Sequence, residues 1–343
     1  MRSKSLAFLK IIYYFCDVNE CCIHIYTKSK DLPPLLEGNF FHSRELFLIY
    51  EQTPGCKPFM VVASDLQNNT LAQLLVAVNR KGNWLPPFIY THAHAHEEGI
   101  YAEEKDKELL FRQMLQAITH RLDRRMCLYI ELSGVRKKMF GYKSFRNAGY
   151  FPITWQEVHN SLHSKDPQER LSAKTIQRIQ RIKNKGVITR PVDSPQDIHH
   201  FHRLLKHYYR FKPRRHIPNE RYFQQMAKSQ HTKFFLTYYG EKIIGGCACV
   251  FSNGNSYLWY LAAKRKTYPM LHPDLMTVWH AIEYAHEHNY AHIYFMDVGL
   301  PWYRNPFREF ILSFGGKPVT KYRWFRFYSH SINKILSWLY KNK

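Results

Sequence analysis

One order of predicted elements occurs twice along this chain of 343 residues. In each half, alternating and short apolar runs predict three strands, and apolar residues at three-to-four spacing then predict a helix. A further strand, a short helix and a last strand follow in both halves, and the short helix of the first half is predicted over residues 135–147. A helix that crosses between strands favours a mixed sheet, so the chain is predicted to contain two α/β units of the same architecture.

The boundaries of these units follow from changes in composition. Residues 1–30 are assigned to an N-terminal extension that lacks the repeated pattern, residues 31–158 to the first unit and residues 159–328 to the second. Residues 329–343 are assigned to a basic amphipathic tail. Two units agree with the length at roughly 150 residues per domain. No apolar run is long enough to predict a membrane-spanning helix.

The chain carries a large positive charge. Its 50 lysines and arginines against 27 aspartates and glutamates give a formal net charge of +23. Such a surplus attracts a polyanion or an anionic lipid surface, so nucleic acid, a phosphorylated co-substrate and a membrane all remain open as partners. The seven cysteines are odd in number and unevenly spaced, which implies no disulfide framework. We therefore expect a cytoplasmic protein, with peripheral contact at the inner face of the membrane left open.

Two short segments of the second unit resemble motifs of a known superfamily. Residues 294–299 read Y-F-M-D-V-G, a predicted strand ending in D-x-G, and residues 305–310 read N-P-F-R-E-F, a predicted short helix followed by F-G-G at 314–316. These motifs and the element order resemble the GNAT N-acyltransferase fold. Two such halves resemble the Fem-type peptidoglycan-bridge aminoacyltransferases and the FemAB-like acetyltransferases. The resemblance covers about residues 31–328 and implies two tandem GNAT-like domains, each a mixed sheet flanked by helices.

This resemblance implies an N-acyltransferase without a metal. Such an enzyme would transfer an acetyl or aminoacyl group from acetyl-CoA, another acyl-CoA or an aminoacyl-tRNA to an amine acceptor. The acceptor would be a small molecule or a precursor in cell-envelope, polysaccharide or lipid biosynthesis.

Two departures from the family pattern leave a second interpretation open. Ile311 stands where Fem-type enzymes carry a lysine after the phenylalanine, here Phe310. Residues 264–273 lack the glycine-containing phosphate loop of CoA-dependent relatives. The alternative is a non-catalytic protein that binds nucleic acid or a membrane surface and retains the fold.

The candidate donor site is the segment 264–273, which joins a predicted strand to a predicted helix. Free backbone N–H groups and the helix dipole attract anions at such a position. Lys264, Arg265, Lys266 and His272 add positive charge, so they are assigned to binding a phosphorylated donor. A solvated basic turn is the alternative.

Asp297 and Tyr303 are the candidate catalytic residues. Asp297 ends a predicted strand, and ligands of open α/β sheets collect at the carboxyl ends of strands. Its carboxylate would hold the acceptor amine as the ammonium or take its proton; capping the following loop is the alternative. Tyr303 lies in that loop, where its hydroxyl would protonate a leaving thiolate or alkoxide.

Substrate binding is assigned to two polar clusters. One connects the two helices of the second half, where guanidinium forks would bind a carboxylate or phosphate, unless it is only a surface loop. The other follows Asp297 along the chain. The residues assigned are Arg210, Lys212, Arg214, Arg304, Asn305 and Arg308.

Three further patterns have structural alternatives. His92, His94 and His96 alternate, so on a strand they share one face as zinc ligands do, but a polar strand end is preferred over a metal site. A basic stripe on a predicted helix is either a solvated face or a track for a tRNA backbone. In the tail, an apolar helical stripe either lies on an anionic leaflet or docks onto the core, and docking is preferred. The basic stripe is Lys174, Arg178, Arg181 and Lys185, and the apolar stripe is Ile332, Ile335, Leu336 and Leu339.

Overall fold

The computed structural model describes residues 21–82, 88–102, 106–136, 140–210 and 217–340. Within this part of the chain, thirteen strands form one continuous sheet with helices on both faces. The strands are β1 (Cys22–Tyr26), β2 (Cys56–Ser64), β3 (Thr70–Gly82), β4 (Ile89–His96), β5 (Ile100–Tyr101), β6 (Tyr129–Arg136), β7 (Phe151–Ser161), β8 (Val187–Val192), β9 (Thr232–Tyr239), β10 (Lys242–Ser252), β11 (Asn255–Ala263), β12 (His292–Phe295) and β13 (Lys317–Phe327).

Helices fill most of the connections between these strands. They are α1 (Arg44–Glu51), α2 (Lys107–Asp123), α3 (Tyr142–Asn147), α4 (Ala173–Asn184), α5 (Pro195–Tyr209), α6 (Glu220–Met226), α7 (Pro273–Glu287), α8 (Pro306–Leu312) and α9 (His330–Leu339). No helix among the described residues is both long enough and apolar enough to cross a membrane.

The two halves of the chain exchange their last strands within the sheet. The strand order is β1-β2-β3-β4-β6-β13-β7-β12-β11-β10-β9-β8, with β5 beside β3. Thus β13, from the second half, lies between β6 and β7, while β7, from the first half, pairs with β12. Neighbouring strands are antiparallel except for β4 with β6 and β11 with β12. The predicted mixed α/β architecture is confirmed, but its two sheets are joined into one.

Three apolar cores separate the helices into two layers. Helices α2 and α3 cover one face of the first half, and α4, α7 and α8 cover the same face of the second. Helices α1, α5 and α6 lie together on the opposite face, where the ring of Tyr50 in α1 stacks on that of Tyr222 in α6 at 6.0 Å. Each half therefore has a helical layer on both sides, and α1 meets α6 across the junction.

The structure corrects three expectations from the sequence. A helix over residues 135–147 is wrong, because β6 continues to Arg136, where Val135 pairs with Tyr322 of β13, and α3 begins only at Tyr142. Strand β1 lies within the residues assigned to an N-terminal extension and pairs with β2 along its whole length. Helix α1 was not anticipated.

Candidate functional site

A polar cleft of about 240 Å³ opens over four neighbouring strands in the middle of the sheet, β4, β6, β13 and β7. Its polar lining includes His94, Glu131, Ser133, Glu157, Asp297 and Arg323. These side chains come from both halves of the chain. The exchange of strands forms the floor of the cleft, because β7 supplies Glu157 and β13 supplies Arg323.

Strand alternation explains why this floor is polar. Successive side chains of a strand point to opposite faces. On β6, Ile130 and Leu132 are buried in the core under α2, while Glu131 between them lines the cleft. In the same way Trp324 packs on α3, whereas its neighbour Arg323 faces the cleft. The central strands thus carry apolar residues on one face and ionisable residues on the other.

Asp297 lies where β11 and β12 separate. These two strands pair only from Ser256–Leu258 to Ile293–Phe295. Beyond this short register the following residues of both strands line the cleft, Asp297 among them. The structure therefore places Asp297 at the carboxyl end of its strand and in the cleft, as the sequence predicts.

Arg323 connects two carboxylates across the floor. Its guanidinium nitrogens lie 3.4 Å from Glu131 Oε1 and 3.5 Å from Asp297 Oδ1. Arg323 Nη2 also donates to the Met296 carbonyl at 3.1 Å, and the guanidinium stacks over the Trp155 ring at 3.9 Å. The Asp297 side chain remains 40% exposed, so it is held in position yet accessible to a ligand.

Glu157 is a buried carboxylate that contacts a histidine and a lysine. His159 Nε2 lies 2.9 Å and Lys321 Nζ 3.2 Å from its Oε2. Burial alone would raise the pKa of Glu157, but the hydrogen bond with His159 and the charge of Lys321 outweigh it and lower the pKa. Glu157 is therefore ionised at neutral pH and adds a fixed negative charge to the cleft.

The three alternating histidines share the cleft face, as their spacing predicts. His94 Nε2 lies 2.8 Å from Ser133 Oγ, which is also 3.1 Å from His96 Nδ1. Burial lowers the pKa of His94, with Glu131 acting in the opposite direction, so its imidazole is neutral at pH 7 and able to accept a proton. Among the residues that the structure describes, no group of three His, Cys, Asp or Glu side chains is arranged to hold a metal ion.

The basic segment that follows β11 borders a second cavity, of about 850 Å³. Lys264, Arg265, Lys266 and His272 line it together with Arg210 from the end of α5. The structure thus brings the proposed donor residues and one proposed substrate residue to a single site. Lys212 and Arg214 lie outside the described residues.

The N-terminus of α7 in this cavity carries its own carboxylate. His272 adopts a left-handed conformation with φ of 39°, and Pro273, which lacks an N–H, opens the helix. Asp274 follows, 7% exposed, with its Oδ2 3.0 Å from Arg265 Nε. Because Asp274 already partly neutralises the helix end, an incoming phosphate would rely on side-chain cations more than on backbone donors.

The basic stripe of α4 lies close to this cavity. Burial lowers the pKa of His272, and the positive charges of Arg178, Arg265 and Lys185 lower it further. Asp274 acts in the opposite direction. Arg178 and Lys185 belong to the stripe predicted from the sequence, so these two members of the stripe lie near enough to the cavity to act on His272.

The residues after Asp297 mainly stabilise the loop to which they belong. Asn305 caps α8, since its Oδ1 accepts from the Phe307 N–H at 3.0 Å and its Nδ2 donates to the Val298 carbonyl at 2.7 Å. Arg308 donates to the carbonyls of Leu300 and Tyr303.

Two other candidates of this loop are exposed. Arg304 pairs with Glu309 at 3.0 Å on the surface, and the Tyr303 side chain is 62% exposed. Within the described part of the chain, neither these two residues nor Asn305 and Arg308 line the central cleft.

Several cleft residues were missed by the sequence analysis. Polar residues that alternate with apolar ones in the predicted strands are the sequence signal that could have indicated them. The missed residues are His94 as a proton acceptor, Glu131, Ser133, Glu157 and Arg323, together with Lys321, which pairs with Glu157. These residues lie close together only because β6, β13 and β7 are neighbours in the sheet, and these strands are not consecutive along the chain.

Comparison with known proteins identifies the fold. Residues 173–303 match the family model described as an acetyltransferase (GNAT) domain. No curated protein sequence matches the chain closely enough to count as a relative.

Solved structures extend this likeness over nearly the whole chain. The crystal structure of FemX is 10% identical, with a TM-score of 0.61, and the match covers 90% of this chain and 96% of that one. The structure of L-PGS from Bacillus licheniformis is 12% identical, with a TM-score of 0.57 and coverage of 89% and 94%. A tandem GNAT protein from the clavulanic acid biosynthesis pathway is 9% identical, with a TM-score of 0.56 and coverage of 84% and 88%. With the match of residues 173–303 to a GNAT domain, these likenesses show that the chain has a FemAB-like tandem GNAT fold.

Proposed function

We propose that this chain is an acyltransferase that accepts a phosphorylated acyl donor in the basic cavity and transfers the acyl group to an amine in the central cleft. The proposal rests on the path of β11, which connects the central cleft to the basic cavity. Its residues Leu258, Trp259 and Tyr260 line the central cleft, while Ala263 at its end and Lys264 directly after it line the basic cavity. A donor that lay along the outer part of β11 would have its phosphates at the cations and its acyl end at Asp297.

The cleft contains groups suited to an amine acceptor. Asp297 is a partly exposed carboxylate that would bind the acceptor as the ammonium. The bound ammonium must give up one proton before it attacks, and His94, whose imidazole is neutral at pH 7 because burial lowers its pKa, would take it. The second proton, lost from the nitrogen after it bonds to the acyl carbon, would pass to the leaving thiolate or alkoxide as the bond between that carbon and the donor breaks. The Tyr303 side chain is 62% exposed and does not line the cleft, so the proposal assigns it no step of the transfer. Transfer then rests chiefly on positioning both substrates where the two parallel strands separate.

The donor is proposed to be an acyl-CoA, such as acetyl-CoA, or an aminoacyl-tRNA. Both carry phosphates that suit Lys264, Arg265 and Lys266, and a tRNA would also reach the basic stripe of α4. The acceptor is proposed to be a small amine or an envelope precursor. Since both donors are cytoplasmic metabolites, we place the reaction in the cytoplasm.

Donor binding tests the proposal directly. The charge-reversed variant Lys264→Glu/Lys266→Glu leaves the Arg265–Asp274 pair intact, and Lys107→Glu/Lys228→Glu is a matched control at exposed lysines elsewhere. A donor present at about 100 times its Kd should stabilise the wild type and the control by close to 2.7 kcal/mol. The cavity variant should show no such stabilisation with acetyl-CoA or charged tRNA. Equal stabilisation of both variants would place the donor site elsewhere.

A further inference from the structure

Helix α9 presents an apolar surface to the outside of the molecule. No residue of α9 is buried. Trp338 is 74% exposed and Ile335 58%, and Ile332 and Leu339 are exposed as well. The expectation that the apolar stripe of the tail docks onto the core is therefore wrong.

The helix is nevertheless fixed to the body of the protein by its other side. Asn333 Oδ1 accepts from the Phe327 N–H at 2.9 Å, and Asn333 Nδ2 donates to the Gly149 carbonyl at 2.9 Å. The Tyr340 ring stacks on Phe151 with centroids 6.5 Å apart. These contacts hold α9 against the end of β13 with its apolar side outward.

Two more exposed apolar residues adjoin α9. Tyr328, 48% exposed, donates its N–H to the Leu128 carbonyl at 3.0 Å. That contact places the end of the turn between α2 and β6 beside Tyr328, two residues before α9, and Met126 in this turn is 70% exposed. We call the whole group the α9 surface. It comprises Met126, Tyr328, Ile332, Ile335, Trp338 and Leu339.

Positive charge surrounds the α9 surface. Lys334 is exposed on α9 itself, and the sequence from residue 328 to residue 343 contains three lysines and no acidic residue. Arg124 and Arg125 are exposed beside Met126, and Arg146 is exposed on α3. The acidic residue of the adjoining turn, Asp123, is paired with Arg326.

We propose that the α9 surface docks the protein onto the anionic surface of a lipid bilayer. An exposed apolar helical face flanked by cations fits the boundary between headgroups and acyl chains, with the cations at the lipid phosphates. A second copy of the chain is a poorer occupant, because a symmetric contact would bring two cationic rims together. The inference requires no residue of the cleft or of the basic cavity, so it stands apart from the proposed function.

Vesicle binding by the purified full-length chain tests the inference. We expect co-sedimentation with vesicles of phosphatidylcholine mixed with phosphatidylglycerol, little with phosphatidylcholine alone, and weaker binding as salt rises. Ile335→Ser/Trp338→Ser should weaken binding about tenfold or more, since two large side chains no longer enter the bilayer. Lys334→Glu/Arg146→Glu should also weaken it.

The matched control is Leu66→Ser/Ile188→Ser, which removes side chains that are 66% and 62% exposed elsewhere. It should bind like the wild type. Because the altered α9 residues are exposed, the melting temperature should not change, and its measurement excludes misfolding. Equal binding by the α9 variant and the control, or absence of wild-type binding to anionic vesicles, would overturn the inference. A wild-type dimer that the α9 variant converts to a monomer, without vesicle binding, would assign the surface to a second copy instead.

Discussion

Arg323 holds two carboxylates of the cleft in place, Glu131 on β6 and Asp297 after β12. Its planar guanidinium, stacked on Trp155, has little freedom to follow one partner away from the other. Asp297 is therefore a positioned carboxylate with part of its surface open to the cleft. Such an arrangement suits recognition of a cationic amine, because the carboxylate does not have to be ordered when the ligand binds.

Replacing Asp297 by asparagine tests its role. Asp297→Asn keeps the shape and removes the charge, so turnover should fall about 100- to 10,000-fold, as is typical when an acid–base or charge-positioning group is lost. Turnover and melting temperature are measured together, with Asp193→Asn, at an exposed carboxylate far along the chain, as the control. Undiminished turnover would show that Asp297 only shapes the following loop.

The buried histidines predict a loss of stability in acid. Burial lowers the pKa of His42 to about 3, against an ordinary value of 6.5. Between these values the unfolded chain binds a proton that the folded chain does not, so stability falls as the pH drops below about 6.5. His42 alone should cost about 2 kcal/mol between pH 6.5 and 5.

Urea unfolding at several pH values measures this effect. His42→Gln should show a shallower decline below pH 6.5 than the wild type, whatever its stability at pH 7. His330→Gln, at an exposed histidine of α9, serves as the control. Identical slopes for the wild type and His42→Gln would contradict the prediction.

At the scale of elements, the F-G-G motif shapes the connection between α8 and β13. Phe314 is buried, and its carbonyl accepts from Asn160 Nδ2 at 2.8 Å. Gly315 has a φ of +84°, and a Cβ there would lie 2.5 Å from the Cβ of Arg170. The turn therefore needs glycine for its conformation and for its close packing, and it aims β13 into the gap between β6 and β7.

Two alanine substitutions distinguish the need for a left-handed conformation from the need for close packing at Gly315. Gly186 after α4 has a nearly equal φ of +82°, but a Cβ at this position would have no neighbour within 4 Å. Gly186→Ala should cost only the left-handed conformation, about 1–2 kcal/mol. Gly315→Ala should cost about 1–3 kcal/mol more, because it also overpacks against Arg170. Denaturant unfolding of both variants measures the difference, and equal losses would show that packing at Gly315 is unimportant.

Local patterns predicted most elements, and long-range pairing explains where they failed. The strands β2, β9, β10 and β11 were recognised because their apolar runs are bounded by turn residues. Residues 135–136 were misassigned to a helix, since β13, their partner, comes from the far end of the chain. β1 is short and carries only one buried side chain, Ile23, so its sequence gives a weak strand signal.

The candidate site was predictable only in part for the same reason. Asp297 follows a strand within its own half, so its position could be inferred from the end of that strand. Glu131, Glu157 and Arg323 lie on three strands whose adjacency depends on the exchange. A prediction that assigns a separate sheet to each half cannot bring them together.

At the scale of the whole molecule, the exchange of β7 and β13 makes the two halves interdependent. β13 pairs with β6 and β7 along most of its length, and β7 pairs with β12 as well. Separating the halves would remove the central strands from each one and leave long unpaired edges. The domain boundary that the sequence suggested near residue 158 therefore falls inside β7, a strand of the shared sheet.

This interdependence predicts one cooperative unfolding transition. Circular dichroism and tryptophan fluorescence of the full chain should give coincident denaturation curves. A fragment of residues 1–161 should fail to fold alone, because the place of β13 is empty. Co-expression with residues 162–343 should restore a soluble complex. Two separate transitions, or a stable isolated first half, would contradict the prediction.

The strand exchange also sets a condition on how the protein is made. β13 leaves the ribosome after every other strand of the sheet, yet it fills the position between β6 and β7. Until then the nascent first half exposes the edges of both strands, and unpaired edges promote aggregation. Production of the active enzyme therefore depends on protecting an incomplete sheet throughout translation of the second half, and a slow or interrupted synthesis would yield aggregated chains rather than half-active ones.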